Sequence, residues 1–237
     1  MKKLLLSGIA LIAACHIGFA QSFTSEEGYQ CEHYSTGKQL IIVGFAADAG
    51  WPGEGSLLQI PSSVYDTYTF STYTVTQLGN GSNPIFPNSF SSPWQLQTPS
   101  CIQTINSYSF SSQDNLTQVV IDGSPTIGSY AFYNDPNLTS VTYASGSGDI
   151  GDSAFEGCTK LRNVGLKDGV TKIGKRAFAN CKSLRSLTIP RTVVSIAPDA
   201  FVGSGIKYAV MQRGGAPINS FPKGVYVTVK QLPYQKK

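Results

Sequence analysis

The side chains with reactive chemistry are few. Cys158 and Cys181 lie 23 residues apart, Cys31 and Cys101 stand alone, and Cys31-Glu32-His33 places a thiol, a carboxylate and an imidazole together. That triplet lacks the second ligand pair a zinc site needs and the distant histidine a thiol nucleophile needs, so it reads as structural or surface-exposed. Gly146-x-Gly148-x-x-Gly151 has the spacing of a dinucleotide loop. No long helix follows it to aim its N-terminus at a pyrophosphate, so these glycines read as a chain corner. No Gly-x-Ser-x-Gly elbow, phosphate-binding loop or zincin helix is present. Catalytic, cofactor and metal residues are therefore not expected, and the expected chemistry is that of recognition.

Charge supplies the candidate ligand residues. Between positions 39 and 159 there is no Lys or Arg against nine acidic residues, whereas 160–237 carries fifteen basic residues against Asp168 and Asp199. Arg162, Lys167 and Arg185 fall in or beside the strand segments described below, at outward positions. They are the expected contacts for an anionic glycan or acidic protein surface. The other reading is that neighbouring segments share charge through duplication and solubility. A net charge of +4, without a motif that reads bases, gives no reason to expect nucleic acid.

These residues are carried by a repeat. Ile-Gly-x-x-Ala-Phe-like segments begin at Ile105, Ile127, Ile150, Ile173 and Ile196, steps of 22, 23, 23 and 23 residues. Phe110, Phe132, Phe155, Phe178 and Phe201 follow each Ile by five, and Leu116, Leu138, Leu161 and Leu184 follow by eleven. Leu184-x-x-Leu187-x-Ile189 alternates as a short strand does. Ile173, Ala177 and Phe178 share one side of a compact helical turn. Each repeat is one coil, stacked through parallel strands because no coil can bury its own faces. Ile85 to Phe90 keeps the Ile-to-Phe spacing and predicts an earlier, shorter coil, for about six in all. The expected fold is an α/β repeat, a leucine-rich solenoid with parallel strands on its concave face and helical turns on its convex face. Repeats span 85–210, between a β-rich N-terminal cap at 21–84 and a C-terminal cap at 211–237. In the first cap Tyr68/Phe70 and Tyr73/Val75 alternate around Ser71-Thr72, which predicts a hairpin turn there.

Residues 1–20 have the form of an export signal: Lys2 and Lys3, the apolar run Leu4 to Ala14, then Gly18-Phe19-Ala20. Ile12-Ala13-Ala14-Cys15 also resembles a bacterial lipobox, which would make Cys15 a lipidated first residue. Cleavage before Gln21 and lipidation at Cys15 are both consistent with the residues, and both carry the chain out of the cytoplasm. Exported chains permit a disulfide, so Cys158 and Cys181, at one repeat position, are either bonded between coils or two buried thiols.

Ile173-Gly174-x-x-Ala177-Phe178-x-Asn180-Cys181-x-x-Leu184-x-x-Leu187-x-Ile189-Pro190 resembles the BspA-like, or Treponema pallidum-type, leucine-rich repeats. The lead-in at Ile60-Pro61-Ser62-Ser63-Val64 and Tyr73-Thr74-Val75-Thr76 is similar too, and the resemblance covers roughly 57–210. It implies a curved right-handed solenoid, secreted or displayed by bacteria, without shared catalytic residues, in which Cys at this position serves packing. It implies adhesion to a protein or glycan as the use of the surface. A structural or assembly part in the cell envelope is the alternative.

Overall fold

In a computed structural model the described residues are 21–25, 28–33, 38–45, 57–67, 70–86, 92–212 and 221–230. Residues 1–20, including Cys15, and parts of both caps lie outside them. In chain order the strands are β1 (Gln21–Thr24), β2 (Tyr29–His33), β3 (Gln39–Phe45), β4 (Leu57–Gln59), β5 (Ser63–Asp66), β6 (Ser71–Leu78), β7 (Trp94–Thr98), β8 (Thr104–Ile105) and β9 (Leu116–Ile121). They continue as β10 (Thr126–Ile127), β11 (Ser140–Tyr143), β12 (Asn163–Gly165), β13 (Lys172–Ile173), β14 (Ser186–Ile189), β15 (Ser195–Ile196), β16 (Tyr208–Gln212) and β17 (Tyr226–Lys230).

Three columns of side chains hold the stack together. The first is apolar and parallel throughout: Ile42 pairs with Leu78, Leu78 with Ile105, Ile105 with Ile127, and the line runs on through Ile150 and Ile173 to Ile196. The second follows the longer strands from Leu58 through Leu96, Val119 and Val141 to Val164. It resumes separately as Leu187, Ala209 and Val227. Between them runs the phenylalanine column, in which Phe110, Phe132, Phe155 and Phe178 stack nearly parallel with centroids 5.2–5.4 Å apart. Each of these rings is fully buried, worth roughly 1.5–3 kcal/mol apiece by transfer from water.

The start of the array differs from the expected one. Ile85 does not occupy the Ile105 column; Leu78 does, followed by Gly79 as Ile127 is by Gly128. Phe86 extends the ring stack, 5.9 Å from Phe110, and Phe90 lies outside the described residues. The loop between the two columns, from Leu78 to Phe86, is longer here than in the later coils. The hairpin is also shifted. β5 and β6 pair antiparallel with Val64 opposite Tyr73, so Ser71 and Thr72 are in the strand rather than in a turn, and Tyr68 lies outside the described residues.

The expected helical turns are absent among the described residues, where the Ile-to-Phe segments are hydrogen-bonded turns. An α-helix consumes every N–H internally. Here successive N–H groups alternate: Tyr130, Phe132 and Asn134 donate to Asp152, Ala154 and Glu156 in the next coil at 2.8–2.9 Å, while Ala131 and Tyr133 donate three residues back. Left-handed residues impose this. Tyr108, Tyr130, Ser153 and Arg176 have φ of 53–61°, and Ser112, Asn134, Gly157 and Asn180 repeat the conformation four residues later; in the last regular coil Gly203 alone adopts it. Each such residue ends the right-handed run before one helical turn closes.

The glycine that follows Ile127, Ile150 and Ile173 serves the stacking itself, whereas Asn106 and Ala197 hold that place at the two ends. A Cβ on Gly151 would lie 2.7 Å from the Ser129 nitrogen and 2.8 Å from the Ile127 oxygen, so only glycine lets the coils approach this closely. Gly148 is held against the Pro125 carbonyl in the same way. The Gly146-x-Gly148-x-x-Gly151 spacing is therefore a product of coil contact.

Candidate binding surface

Side chains alternate along a strand, so the residues beside each core position of the second column form its outer face. Pairing register places Gln59, Gln97, Val120 and Thr142 in one row of this face and Gln95, Gln118, Ser140 and Asn163 in another. On β14 to β17 the rows continue as Ser186, Tyr208 and Tyr226, and as Thr188, Val210 and Thr228. None of these residues is charged. Gln59 Nε2 donates to Gln97 Oε1 at 3.1 Å, which fixes one amide pair on the face. At the other end Tyr208 and Tyr226 stack at 5.8 Å and 22° while remaining 55% and 71% exposed.

The face is interrupted once. β12 and β14 share no ladder, and the coils are joined beside them by Ser183 N–H donating to Thr159 O at 3.1 Å. β12 has the weakest strand character of the series, with Asn163 and Gly165 on either side of Val164, and both residue types are disfavoured in strands. As a result Val164 is half-buried where Val119, Val141 and Leu187 are buried.

The three expected cationic contacts flank this face rather than lie on it. Arg162 and Arg185 each immediately precede a strand, at the same repeat position in adjacent coils, and both are exposed. They form a pair at the start of β12 and β14. Lys167 lies past the other end of β12, roughly 16 Å from Arg162 along the strand direction. It lines a shallow cleft of about 570 Å³ with Ser145, Asp168, Pro190 and Gln212. Among the described residues the ion pairs are Arg176 with Glu156 and Arg191 with Asp168, so none of the three has a carboxylate partner. Arg185 Nη1 reaches only the Gly205 carbonyl at 3.4 Å.

Cys158 and Cys181 are free, fully buried thiols whose Sγ–H groups donate to the Phe132 and Phe155 carbonyls at 3.1 and 3.0 Å. Cys31 is buried, with Sγ 3.4 Å from the Tyr29 carbonyl, and the His33 side chain lies outside the described residues. Cys101 borders an open hollow of about 650 Å³ that also holds Lys38, Thr74 and Gln103. Burial pushes its thiol up from the usual range. Among the described residues no three His, Cys, Asp or Glu side chains are grouped to hold a metal ion. Nor is there a helix long and apolar enough to cross a membrane.

Two acidic residues escape a reading of the sequence. Asp149 accepts from Thr171 N–H, Thr171 Oγ1 and Lys172 N–H at 2.7–2.9 Å, and Asp135 is wholly buried in the column of Cys158 and Cys181. By sequence Asp135 shares the repeat position of Cys158 and Cys181, and Asp149 ends a Ser/Gly run before Ile150. Only the partner coil shows what they contact.

The family description "BspA type Leucine rich repeat region" matches residues 82–207 in six copies. The chain belongs to the BspA-type leucine-rich-repeat family. No curated protein sequence matches it. Among solved structures it resembles a leucine-rich-repeat protein from Eubacterium ventriosum at 23% identity and TM-score 0.55, covering 76% of this chain and 51% of that one. It also resembles the pneumococcal vaccine antigen PcpA at 14% identity and TM-score 0.50, over 84% of this chain and 51% of the other. A leucine-rich-repeat protein of T. pallidum follows at 18% identity and TM-score 0.48, with 79% and 70% covered. The chain thus aligns with about half the length of the first and second of these, and the likeness is one of fold. The BspA-type repeat is a stacking unit and brings no shared catalytic groups with it.

Proposed function

We propose that this BspA-type chain is an exported, non-catalytic adhesion module that holds a protein or glycan partner against the outer face of its strand ladder. The observation that carries the reading is the uncharged amide-and-hydroxyl strip ending in the exposed Tyr208–Tyr226 pair. Amides and hydroxyls hydrogen-bond a partner without the desolvation cost of a buried charge. Tyrosine offers a large contact area while losing little rotamer freedom. A rigid stack presents all of this with little ordering on binding. Arg162 and Arg185 then hold a carboxylate or sulfate of the partner at the edge of the strip, a task suited to the planar guanidinium fork, and Lys167 supplies a further charge across the strand. Residues 1–20 serve export, ending either before Gln21 or at a lipidated Cys15.

The test is a glycan and protein array probed with residues 21–237, repeated with Tyr208→Ala/Tyr226→Ala and with Arg162→Ala/Lys167→Ala/Arg185→Ala. Hits are expected to weaken at least tenfold in the tyrosine variant, and anionic hits also in the cation variant. Hits that keep their affinity in the tyrosine variant would place recognition elsewhere on the molecule. Hits retained in the cation variant alone would remove the anionic contact and leave the strip.

A further inference from the structure

The eighth residue after each column isoleucine is Gln113, Asp135, Cys158, Cys181 and Ser204, and the first four are buried to 1% exposure or less. Three of them make the same bond. Gln113 Nε2 donates to the Phe86 carbonyl at 3.1 Å, Cys158 Sγ to Phe132 at 3.1 Å and Cys181 Sγ to Phe155 at 3.0 Å. In every case the acceptor is the carbonyl of the core phenylalanine one coil back. By that register the acceptor for Asp135 is Phe110 O.

These side chains also accept. Gln113 N–H donates to Asp135 Oδ1 at 2.7 Å, and the Asp135 and Cys158 N–H groups are directed at the Cys158 and Cys181 sulfurs. A residue in the middle of this column must therefore donate and accept at once. A thiol does so, and so do a primary amide and a carboxylic acid; an ionised carboxylate only accepts.

Asp135 Oδ2 is buried with no hydrogen-bond partner. The Phe110 carbonyl is in the same position. Phe155, Phe178 and Phe201 carbonyls accept the N–H of the column residue in their own coil at 3.1–3.4 Å, but the N–H of Gln113 has gone to Asp135 instead. Among the described residues no N–H reaches Phe110 O. Two buried acceptors thus share one slot, and leaving a buried polar atom unpaired is costly. A single proton satisfies both.

We propose that Asp135 is a neutral carboxylic acid in the folded protein, its Oδ2–H donating to Phe110 O, so that this junction between coils is closed by a proton that rising pH withdraws. The surroundings agree. Burial pushes the carboxyl well above its usual range, the Gln113 N–H pulls it down, and Asp114 in the preceding coil raises it again. From the following coils it faces Cys158 and then Cys181, whose thiols burial also pushes up, the latter to about 12, so both stay neutral. The nearby ammonium of Lys160 is held at the surface by Asn137 Oδ1 at 2.6 Å. No cation replaces the proton.

The linkage follows from the direction of the shift. The folded pKa lies above the unfolded one, so the folded state keeps its proton longer. Stabilisation from Asp135 is complete below the ordinary aspartate pKa of about 4 and declines as pH rises towards the folded value. Asp135→Asn supplies donor and acceptor at every pH. Denaturant unfolding of the full mature chain from pH 4 to 8 is expected to show the unfolding constant of the wild type rising against that of Asp135→Asn, by up to about tenfold per pH unit. Carboxyl ¹³C NMR on the unsubstituted protein provides the reading that needs no variant to fold. The Asp135 resonance is expected at its protonated position at pH 7. A resonance at the ionised position there, or a wild type that gains stability on Asp135→Asn as pH rises, would overturn the proposal.

Discussion

Asp149 shows how one residue joins two coils. Burial raises its carboxyl, yet hydrogen bonds from Thr171 N–H, Thr171 Oγ1 and Lys172 N–H, with the Lys172 charge, outweigh that and hold it below the usual range. Its folded pKa is lowered, so its stabilisation is present above the ordinary aspartate pKa and lost as pH falls through the folded value. Asp149→Asn, which accepts through one oxygen, is expected to cost about 1 kcal/mol at pH 7, an amount already reduced for solvent screening of this half-buried group. The difference between the two proteins in urea midpoint is expected to shrink towards pH 3. Asp135 behaves in the opposite sense with the same functional group, because its partners offer one donor and need another. The sequence gives the two aspartates different repeat positions, Asp135 that of Cys158 and Cys181 and Asp149 the one before Ile150, but not their contacts. What separates them is the chain 22–23 residues away.

Among the elements, the Ile-to-Phe turn departs most from expectation. Apolar residues spaced by four and five fit one helical turn, and that pattern is present. They equally fit a turn whose alternate N–H groups bond to the next coil, which is the arrangement formed. The deciding residues are left-handed ones, and Tyr108, Tyr130 and Arg176 carry no sequence mark of it because glycine is the usual signal. Asn134, at φ 58°, occupies the slot held by Gly157 and Gly203. Asn134→Gly is expected to leave the melting temperature nearly unchanged, whereas Asn134→Val should cost about 1–2 kcal/mol through backbone strain alone. Equal losses in both variants, by thermal melting, would mean that the Asn134 side chain rather than its backbone matters.

For the whole molecule, stability is distributed along the stack, since each coil touches only its neighbours. Phe155 lies between rings at 5.2 and 5.4 Å in the middle of the phenylalanine column. Phe155→Ala is expected to cost about 3–5 kcal/mol by opening a cavity there. The loss should be uneven. Amide exchange is expected to accelerate in β11, β12 and β13 while β3 and β6, several coils away, keep their protection. Uniform acceleration would show a stack that unfolds as one unit.

Repeat length, the two apolar columns of the regular coils, the phenylalanine stack and the family were all legible in the sequence by itself. A solenoid reuses one set of local contacts per coil, so the requirement is written five times over and survives any single exception. Only the tertiary structure decided that Leu78 rather than Ile85 precedes Ile105 in its column, and that β12 and β14 part. It alone showed that the strand face is uncharged up to Lys230 at its far edge, with Arg162 and Arg185 beside it, and that Asp135 accepts from the Gln113 N–H one coil back. These properties belong to no coil alone. They depend on which residue of one coil lies over which residue of the next, and loops of unequal length set that register before any local pattern can.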